Sequence, residues 1–267
     1  MALWTFFGLR RGVATSAWPA AGGDDGQSGV LGLPRYAPEL CQDHCQACAE
    51  ACPTAAITIA ADEQPGIALD YGRCIACQHC IEACPEGALH ASGQWAYGVQ
   101  KRDDLHWSAA LGSPEAGTLR AEIEQSFRGS LHVRHVDAGS CNGCESELQA
   151  LNNPFYNLHR LGIFFTPSPR AADLLLVTGS VTSALREVLL ATYEAMPKPR
   201  RVMAIGTCAV SGGIAGGGYC TACGVDGTLP VDLYLPGCPP NPAAIIHALL
   251  VLLERTPQRV QGGRIDD

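Results

Sequence analysis

Cysteine is the residue type with the clearest chemical pattern in this sequence. The 267 residues include fourteen cysteines, and eight of these lie within or just before two segments that repeat each other. The segment Cys45–Ile57 matches Cys77–Leu89 at eight of thirteen positions, with a constant offset of 32 residues. Repetition at a short period indicates a duplicated structural unit. Cysteines clustered in this way bind metal in proteins of a reducing compartment, where disulfides are rare.

The second repeat gives the spacing that points to a particular metal centre. It reads Cys-x2-Cys-x2-Cys-x3-Cys-Pro from Cys74 to Pro85, which is the bacterial ferredoxin spacing for [4Fe–4S] clusters. In that arrangement three cysteines of a run bind one cluster and the fourth crosses to the other. We therefore expect cluster one to be held by Cys41, Cys45, Cys48 and Cys84, and cluster two by Cys74, Cys77, Cys80 and Cys52.

Two alternatives stay open for this part of the sequence. The spacing Cys41-x3-Cys45 is one residue longer than its counterpart in the second repeat. His44 is therefore a second candidate for the ligand that Cys41 otherwise provides, although we expect a simple bulge with Cys41 retained. Cys-x2-Cys is also a zinc spacing, but two zinc sites do not explain why both repeats contain Glu-Ala-Cys-Pro.

A third group of cysteines is dispersed over the second half of the chain. It consists of Cys141, Cys144, Cys208 and Cys238, which follow predicted strands and have glycines beside them. The carboxyl ends of parallel strands meet at one edge of a sheet, where α/β proteins bind ligands. We therefore expect these four thiolates to converge and to hold a third [4Fe–4S] cluster. Buried core cysteines are the alternative.

The elements that must position this third group alternate between strand and helix from about residue 130. The predicted strands are Leu131–Val136, Asp173–Val177, Arg201–Ile205 and Val231–Leu235, and the predicted helices are Cys144–Leu151, Thr182–Ala195 and Pro242–Arg255. Such alternation predicts a parallel sheet covered by helices on both faces. The expected fold class is α/β, with an N-terminal bacterial-type ferredoxin domain and a flavodoxin-like parallel-sheet domain.

Four segments follow from these patterns. We expect a partner-docking leader at 1–35, the ferredoxin domain at 36–92, a connector at 93–129 with a helix from about Pro114 to Phe127, and the α/β domain at 130–267. Cys220 and Cys223 belong to none of the three groups. A redox dithiol, a sulfur-handling site, ligands to an ion shared with a partner and simple loop filling all stay open for this pair.

Charge and hydrophobicity restrict the partners. Residues 36–92 carry eight acidic side chains and one arginine, a sum of −7 within a total of −8, so the basic footprint of a nucleic-acid-binding protein is missing. The chain is 47% hydrophobic and 16% charged, a composition that suits a subunit packed against others. It has neither a secretory signal nor the roughly 18 consecutive apolar residues of a membrane span. We expect a cytoplasmic protein.

The motifs around the third group resemble a known family. Gly139–Glu145, Gly206–Gly213 and Pro236–Pro240 are similar to the small-subunit fold shared by [NiFe] hydrogenases and the B subunit of respiratory complex I, over roughly residues 130–255. The complex I subunit has two adjacent cysteines where this chain has Cys-x2-Cys. The ferredoxin part, with Gly12–Pro19 before it, resembles the polyferredoxin subunit of formate hydrogenlyase and a related complex I subunit. The whole chain looks like a fusion of the two, as in membrane-associated group 4 hydrogenases.

The resemblance implies an electron-transfer subunit that is not catalytically complete alone. It implies that three [4Fe–4S] clusters relay electrons to or from the active site of a hydrogenase large subunit, with membrane-arm subunits as further partners and a formate dehydrogenase as a candidate donor. The subunit would then sit peripherally on the cytoplasmic face of the inner membrane. The alternatives are a complex I-like quinone or sulfur oxidoreductase with a nickel-free large subunit, and a cluster-bearing sensor or scaffold.

Overall fold

A computed structural model describes residues 3–20, 22–42, 45–59, 66–107 and 130–259. His44 and the helix predicted from Pro114 to Phe127 lie outside the described residues. The first element is helix α1 (Leu3–Arg11). Its side chains Phe6, Phe7 and Leu9 are exposed, and Arg10 and Arg11 form its last turn.

Short elements build the ferredoxin part around its cysteine loops. They are β1 (Arg35–Tyr36), α2 (Ala47–Glu50), β2 (Ile57–Ile59), β3 (Ile67–Asp70), α3 (His79–Glu82), β4 (Leu89–His90) and β5 (His106–Trp107), with 3-10 turns at Pro38–Leu40 and Arg102–Leu105. Strands β1 and β4 pair antiparallel, and β3 lies between β2 and β5 in a second antiparallel sheet. Each sequence repeat therefore supplies a cysteine loop, a one-turn helix and a strand. The third strand of the second sheet, β5, comes from the predicted connector.

The second half of the chain forms a parallel five-stranded sheet. Its elements are β6 (Leu131–Asp137), α4 (Gly143–Ala150), β7 (Ile163–Phe165), β8 (Leu174–Thr178), α5 (Ser183–Glu194), β9 (Arg201–Ile205), α6 (Gly206–Ser211), β10 (Leu233–Leu235) and α7 (Pro242–Leu252), with 3-10 turns at Leu158–Leu161 and Pro169–Ala171. All neighbouring strands are parallel, in the order β10-β9-β8-β6-β7. Counted from the first strand, this is the flavodoxin-like order 2-1-3-4-5. The predicted fold class is confirmed.

A few element boundaries differ from the prediction. Helix α7 ends at Leu252 and does not reach Arg255, because Glu254 adopts a positive φ of 55° and turns the chain away. Strand β10 begins at Leu233, two residues later than predicted. The short elements β7 and α6 were not predicted, since three and six residues are too few to display a periodicity.

The sheet is buried on both faces. Every residue of β8 is buried, and alternate side chains enter different clusters: Leu174 and Leu176 pack with α4 and α7, whereas Leu175 and Val177 pack with α5. This division follows from the two-residue period of a strand. The hydrophobic core on the α5 side of the sheet also contains residues of the ferredoxin part, such as Leu69. One core therefore joins the two halves and fixes the edge of the sheet relative to the cysteine loops.

Helix α7 is apolar on all sides because its whole surface is covered. It begins with Pro242 after Asn241, whose side-chain oxygen accepts a hydrogen bond from the Ala244 amide at 2.7 Å, and this cap satisfies one free donor of the first turn. Trp18 and Trp95 lie in the same core and meet edge to face at 5.9 Å. In the part of the chain that the structure describes, no helix is long and apolar enough to cross a membrane.

Candidate cluster-binding sites

One pocket of the ferredoxin part is lined by four cysteines from both repeats. These are Cys41, Cys45, Cys48 and Cys84, the four residues predicted for cluster one. The pocket has about 350 Å³ of space between atoms, including its open mouth, and apolar side chains such as Ile67 and Leu89 line the rest of it. Burial, and then the neighbouring Cys41 and Cys45, raise the pKa of the Cys48 thiol to about 11.

A second pocket is lined by the other four ferredoxin cysteines. These are Cys52, Cys74, Cys77 and Cys80, the residues predicted for cluster two, around about 420 Å³ of space that includes the open mouth. Backbone amides already point at two of the sulfurs: Ala56 donates to the Sγ of Cys52 at 3.2 Å and Ala76 to the Sγ of Cys74 at 3.4 Å. Ala76 has a positive φ of 55°, which curls the loop around its own sulfur.

The thiols of this second pocket are also hard to ionise without a cation. Burial, with smaller effects from neighbouring cysteines, raises the pKa of Cys74 to about 12 and that of Cys80 to about 11. Four thiolates in one apolar pocket repel each other and lose hydration. Bound iron would supply the positive charge that offsets both costs, and its binding would release the thiol protons. The all-sulfur donor set and the amides aimed at sulfur fit a [4Fe–4S] cluster.

The third group converges at the carboxyl edge of the parallel sheet. Cys141 and Cys144 follow β6, Cys208 lies in α6 directly after β9, and Cys238 follows β10. Gly206 shows how closely the chains approach, since a Cβ at that position would lie 2.6 Å from the Sγ of Cys144. Only a glycine, with its φ of +86°, allows the backbone before Cys208 to pass this sulfur.

The electrostatics of the third group agree with one shared site. The pKa of the Cys144 thiol is raised by burial first and then by Glu145, Cys208, Cys238 and Cys141. Burial and then Cys238 and Cys141 raise the pKa of Cys208, and burial and Cys141 raise that of Cys238. Each predicted ligand thus lies within electrostatic reach of the others. Cys141 and Cys238 are exposed, so the site opens at the surface, and its four sulfurs fit a third [4Fe–4S] cluster.

Thr207 connects the third group with the second pocket. Its amide donates to the carbonyl of Gly237 at 2.8 Å, and its Oγ1 accepts from the Gly237 amide at 3.2 Å. The same hydroxyl donates to the carbonyl of Cys74 at 2.9 Å. Thr207 is 1% exposed. It therefore holds the loops of Cys208, Cys238 and Cys74 together, a role that no feature of the local sequence signals.

Two cysteines remain apart from the three groups of four. Cys220 and Cys223 are exposed and unpaired, and they lie in the loop that connects α6 to β10. The eight ferredoxin cysteines therefore line two pockets of four, and the other four follow strand ends at one edge of the parallel sheet, whereas this pair is exposed at the surface.

Two protein families match the chain. Residues 141–252 match the family described as NADH ubiquinone oxidoreductase, 20 kDa subunit, and residues 40–88 match the 4Fe-4S dicluster domain. The first match begins at Cys141 and includes Cys238; the second includes the eight ferredoxin cysteines.

Relatives of this chain are subunits of larger complexes. It is 39% identical to formate hydrogenlyase subunit 7 of Escherichia coli (strain K12) over 153 residues, which are 56% of this chain and 60% of the relative. It is 42% identical to the probable membrane-bound hydrogenase subunit mbhJ of Pyrococcus furiosus over 130 residues, 49% of this chain and 78% of the relative. A solved chain of an archaeal membrane-bound sulfane sulfur reductase is 36% identical, with a TM-score of 0.44 over 49% of this chain and 73% of that one.

Proposed function

Because this chain belongs to the family of the NADH ubiquinone oxidoreductase 20 kDa subunit and carries a 4Fe-4S dicluster domain before it, we propose that it is the electron-transfer subunit of a membrane-associated [NiFe] hydrogenase complex. The relatives named as hydrogenlyase and hydrogenase subunits support this activity. The chain relays electrons between a partner large subunit and the rest of the complex. The large subunit completes the interconversion of protons and electrons with H₂.

Three groups of four cysteines are proposed to hold the cofactors. Cluster one is assigned to Cys41, Cys45, Cys48 and Cys84, cluster two to Cys52, Cys74, Cys77 and Cys80, and cluster three to Cys141, Cys144, Cys208 and Cys238. Such clusters supply one-electron redox steps whose potentials depend on hydrogen bonds to sulfur and on solvent exposure. The amides of Ala56 and Ala76 are the hydrogen-bond donors that the structure offers to cluster two.

The observation that carries the proposal is the succession of the three groups through one core. The pKa of Cys80, in the second pocket, also responds to Cys48 of the first, so these two pockets are adjacent. The hydroxyl of Thr207 joins the second pocket to the third group. A chain of three neighbouring all-sulfur sites suits electron relay. A sensor or scaffold needs only one cluster.

Surface features support the proposed partners. Cys141 and Cys238 open cluster three to the outside, and this edge is the proposed docking place for the large subunit. The exposed apolar residues Phe6, Phe7 and Leu9 on α1 suit contact with another subunit of the membrane arm. We propose that these partners attach the chain peripherally to the cytoplasmic face of the membrane. A formate dehydrogenase is the proposed electron donor.

Anaerobic iron and sulfide analysis of the purified chain, combined with EPR, tests the cofactor content. Three clusters predict about twelve iron and twelve sulfide per chain, with three reducible centres in the spectrum. Zinc in place of iron would contradict the proposal. Copurification with the large subunit, followed by hydrogen-dependent reduction of the clusters, tests the activity.

A complex I-like quinone or sulfur oxidoreductase is the second candidate, favoured by the description of the family that residues 141–252 match. In that case the large subunit contains no nickel. Nickel analysis of the copurified complex separates the two, since a hydrogenase contains about one nickel per large subunit and the alternative contains none.

A further inference from the structure

Cys220 and Cys223 form a Cys-x2-Cys pair that none of the three proposed clusters uses. Both residues are exposed and unpaired, and Tyr219 beside them is fully exposed. Two cysteines separated by two residues are a common arrangement for a redox dithiol.

The backbone around this pair is fixed on one side by α5. The carbonyl of Cys220 accepts a hydrogen bond from the Ser183 amide at 2.8 Å, and the Ala222 amide donates to the carbonyl of Val181 at 3.1 Å. Thr221 and Thr182 form an antiparallel bridge between the same two segments. The exposed thiols therefore stand on a positioned stretch of backbone and remain open to a reagent in solution.

On its other side, the loop approaches Cys208 closely. Gly213 is so close that a Cβ there would lie 3.0 Å from the Sγ of Cys208. Its neighbour Gly212 approaches the segment that contains Cys223, since a Cβ at Gly212 would lie 3.1 Å from the Cα of Cys223. Gly212 and Gly213 are consecutive, so their Cα atoms are about 3.8 Å apart. Added to the two close contacts, this spacing places the Cα of Cys223 at most about 13 Å from the Cys208 sulfur. The Cys220–Cys223 pair therefore lies near the proposed third cluster, and both of its thiols are exposed.

We propose that Cys220 and Cys223 are a redox-active dithiol/disulfide pair that exchanges electrons with the third cluster and reduces disulfide compounds, R–S–S–R′. The inference rests on the proposed function, because cluster three is its source of electrons. One cysteine thiolate attacks R–S–S–R′ and releases R′S⁻. The second cysteine then displaces RS⁻ from the mixed disulfide and closes the Cys220–Cys223 bond. The two protons lost by the cysteines are taken up by the two released thiolates.

Regeneration of the pair balances the cycle. The Cys220–Cys223 disulfide takes up two electrons, one at a time, from the reduced cluster, and two protons from the water that reaches this exposed loop. The net change is R–S–S–R′ plus two electrons and two protons to RSH plus R′SH. The cluster, and not a soluble thiol, is the reductant in this cycle.

Thiol counting on the anaerobic, iron-loaded full chain tests the first half of the inference. The protein is equilibrated with oxidised glutathione, then alkylated, and the labelled cysteines are located by mass spectrometry. We expect the wild-type chain to lose two labelled thiols, at Cys220 and Cys223, and to regain them with reduced methyl viologen. The variant carrying Cys220→Ser and Cys223→Ser serves as the matched control, in which iron content is unchanged and the reversible loss disappears.

The dependence on cluster three is tested in two ways. In Cys208→Ser, reversal by reduced viologen slows roughly tenfold or more, whereas reversal by dithiothreitol, which acts by direct thiol exchange, is unchanged. A reductive titration needs no cluster variant. Each of the three clusters takes up one electron, and the disulfide takes up two. The wild-type chain with an oxidised pair should therefore take up about five electrons, and the double serine variant, which has no disulfide, about three.

The outcomes separate this inference from the proposed function. A full complement of iron with no disulfide between Cys220 and Cys223 overturns the inference alone, as does viologen reversal that is equally fast in Cys208→Ser. Equal electron uptake by the wild-type chain and the double serine variant in the titration would also overturn the inference alone. An iron content of about eight per chain, which corresponds to two clusters, overturns the assignment of cluster three and this inference together.

Discussion

The hydroxyl of Thr207 donates a hydrogen bond to the main-chain carbonyl of Cys74 at 2.9 Å, across 133 residues of sequence. This bond ties a ligand proposed for cluster two to the helix that carries Cys208. Because Thr207 also bonds to Gly237 through both its amide and its hydroxyl, one buried side chain sets the positions of three proposed ligand loops.

Thr207→Val tests this link. Valine keeps the shape of the side chain but leaves the Cys74 carbonyl without its donor, which costs about 1–3 kcal/mol for a buried group. We expect the free energy of unfolding to fall by this amount and the magnetic interaction between clusters two and three in EPR to weaken. Thr207→Ser, which keeps the hydroxyl, is the matched control. Equal behaviour of the two variants would show that the hydrogen bond does not position the loops.

Cross-ligation between the repeats makes a prediction about pairs of substitutions. Cys45→Ser and Cys84→Ser change two residues of one pocket, so their combination should remove about four irons, the content of a single cluster. Cys45→Ser combined with Cys52→Ser changes both pockets and should remove about eight. Iron analysis and EPR measure the difference. If the first pair also removed eight, each repeat would bind its own cluster.

Gly206→Ala probes the third group without changing a cysteine. The added Cβ would lie 2.6 Å from the Cys144 sulfur, at a backbone φ of +86° that an alanine rarely adopts. We expect the loss of about four irons and of the EPR signal of cluster three, with the ferredoxin signals unchanged. Gly227→Ala is the matched control, since a Cβ there meets nothing within 4 Å. Full iron content in Gly206→Ala would mean that the close approach of residue 206 to the Cys144 sulfur is not needed for cluster binding.

Local patterns in the sequence were sufficient for the cysteine groups and for most of the sheet. The apolar runs that became β6, β8 and β9 are long enough to be recognised, and each places the following residues at the same edge because the sheet is parallel. Three features depend on pairings between distant segments, which local periodicity does not encode. These are the bond from Thr207 to Cys74, the addition of β5 to the ferredoxin sheet and the cover that Trp18 and Trp95 provide for α7.

His247 gives the folded chain a dependence on pH. It is 0% exposed in α7, both its ring nitrogens lack a hydrogen-bond partner in the described part of the chain, and the ring of Trp95 meets it edge to face at 6.2 Å. Burial first, and then Arg259, lower the pKa of His247 from 6.5 to about 4. In the unfolded chain His247 is therefore protonated below pH 6.5, whereas in the folded chain it stays neutral down to about pH 4.

The sign of the effect follows from this difference. The contribution of His247 to stability is complete above pH 6.5 and is lost as the pH falls toward 4, because protonation then favours the unfolded chain. Between pH 7.5 and pH 5.5 we expect a loss of about 1.4 kcal/mol from this group, or about 3–5 °C in the midpoint of thermal unfolding. In His247→Leu this part of the pH dependence should disappear, while losses caused by the clusters or by other groups stay the same as in the wild type. Anaerobic circular dichroism melts of both proteins at the two pH values measure the difference, and equal shifts in both would show that His247 is protonated in the folded state.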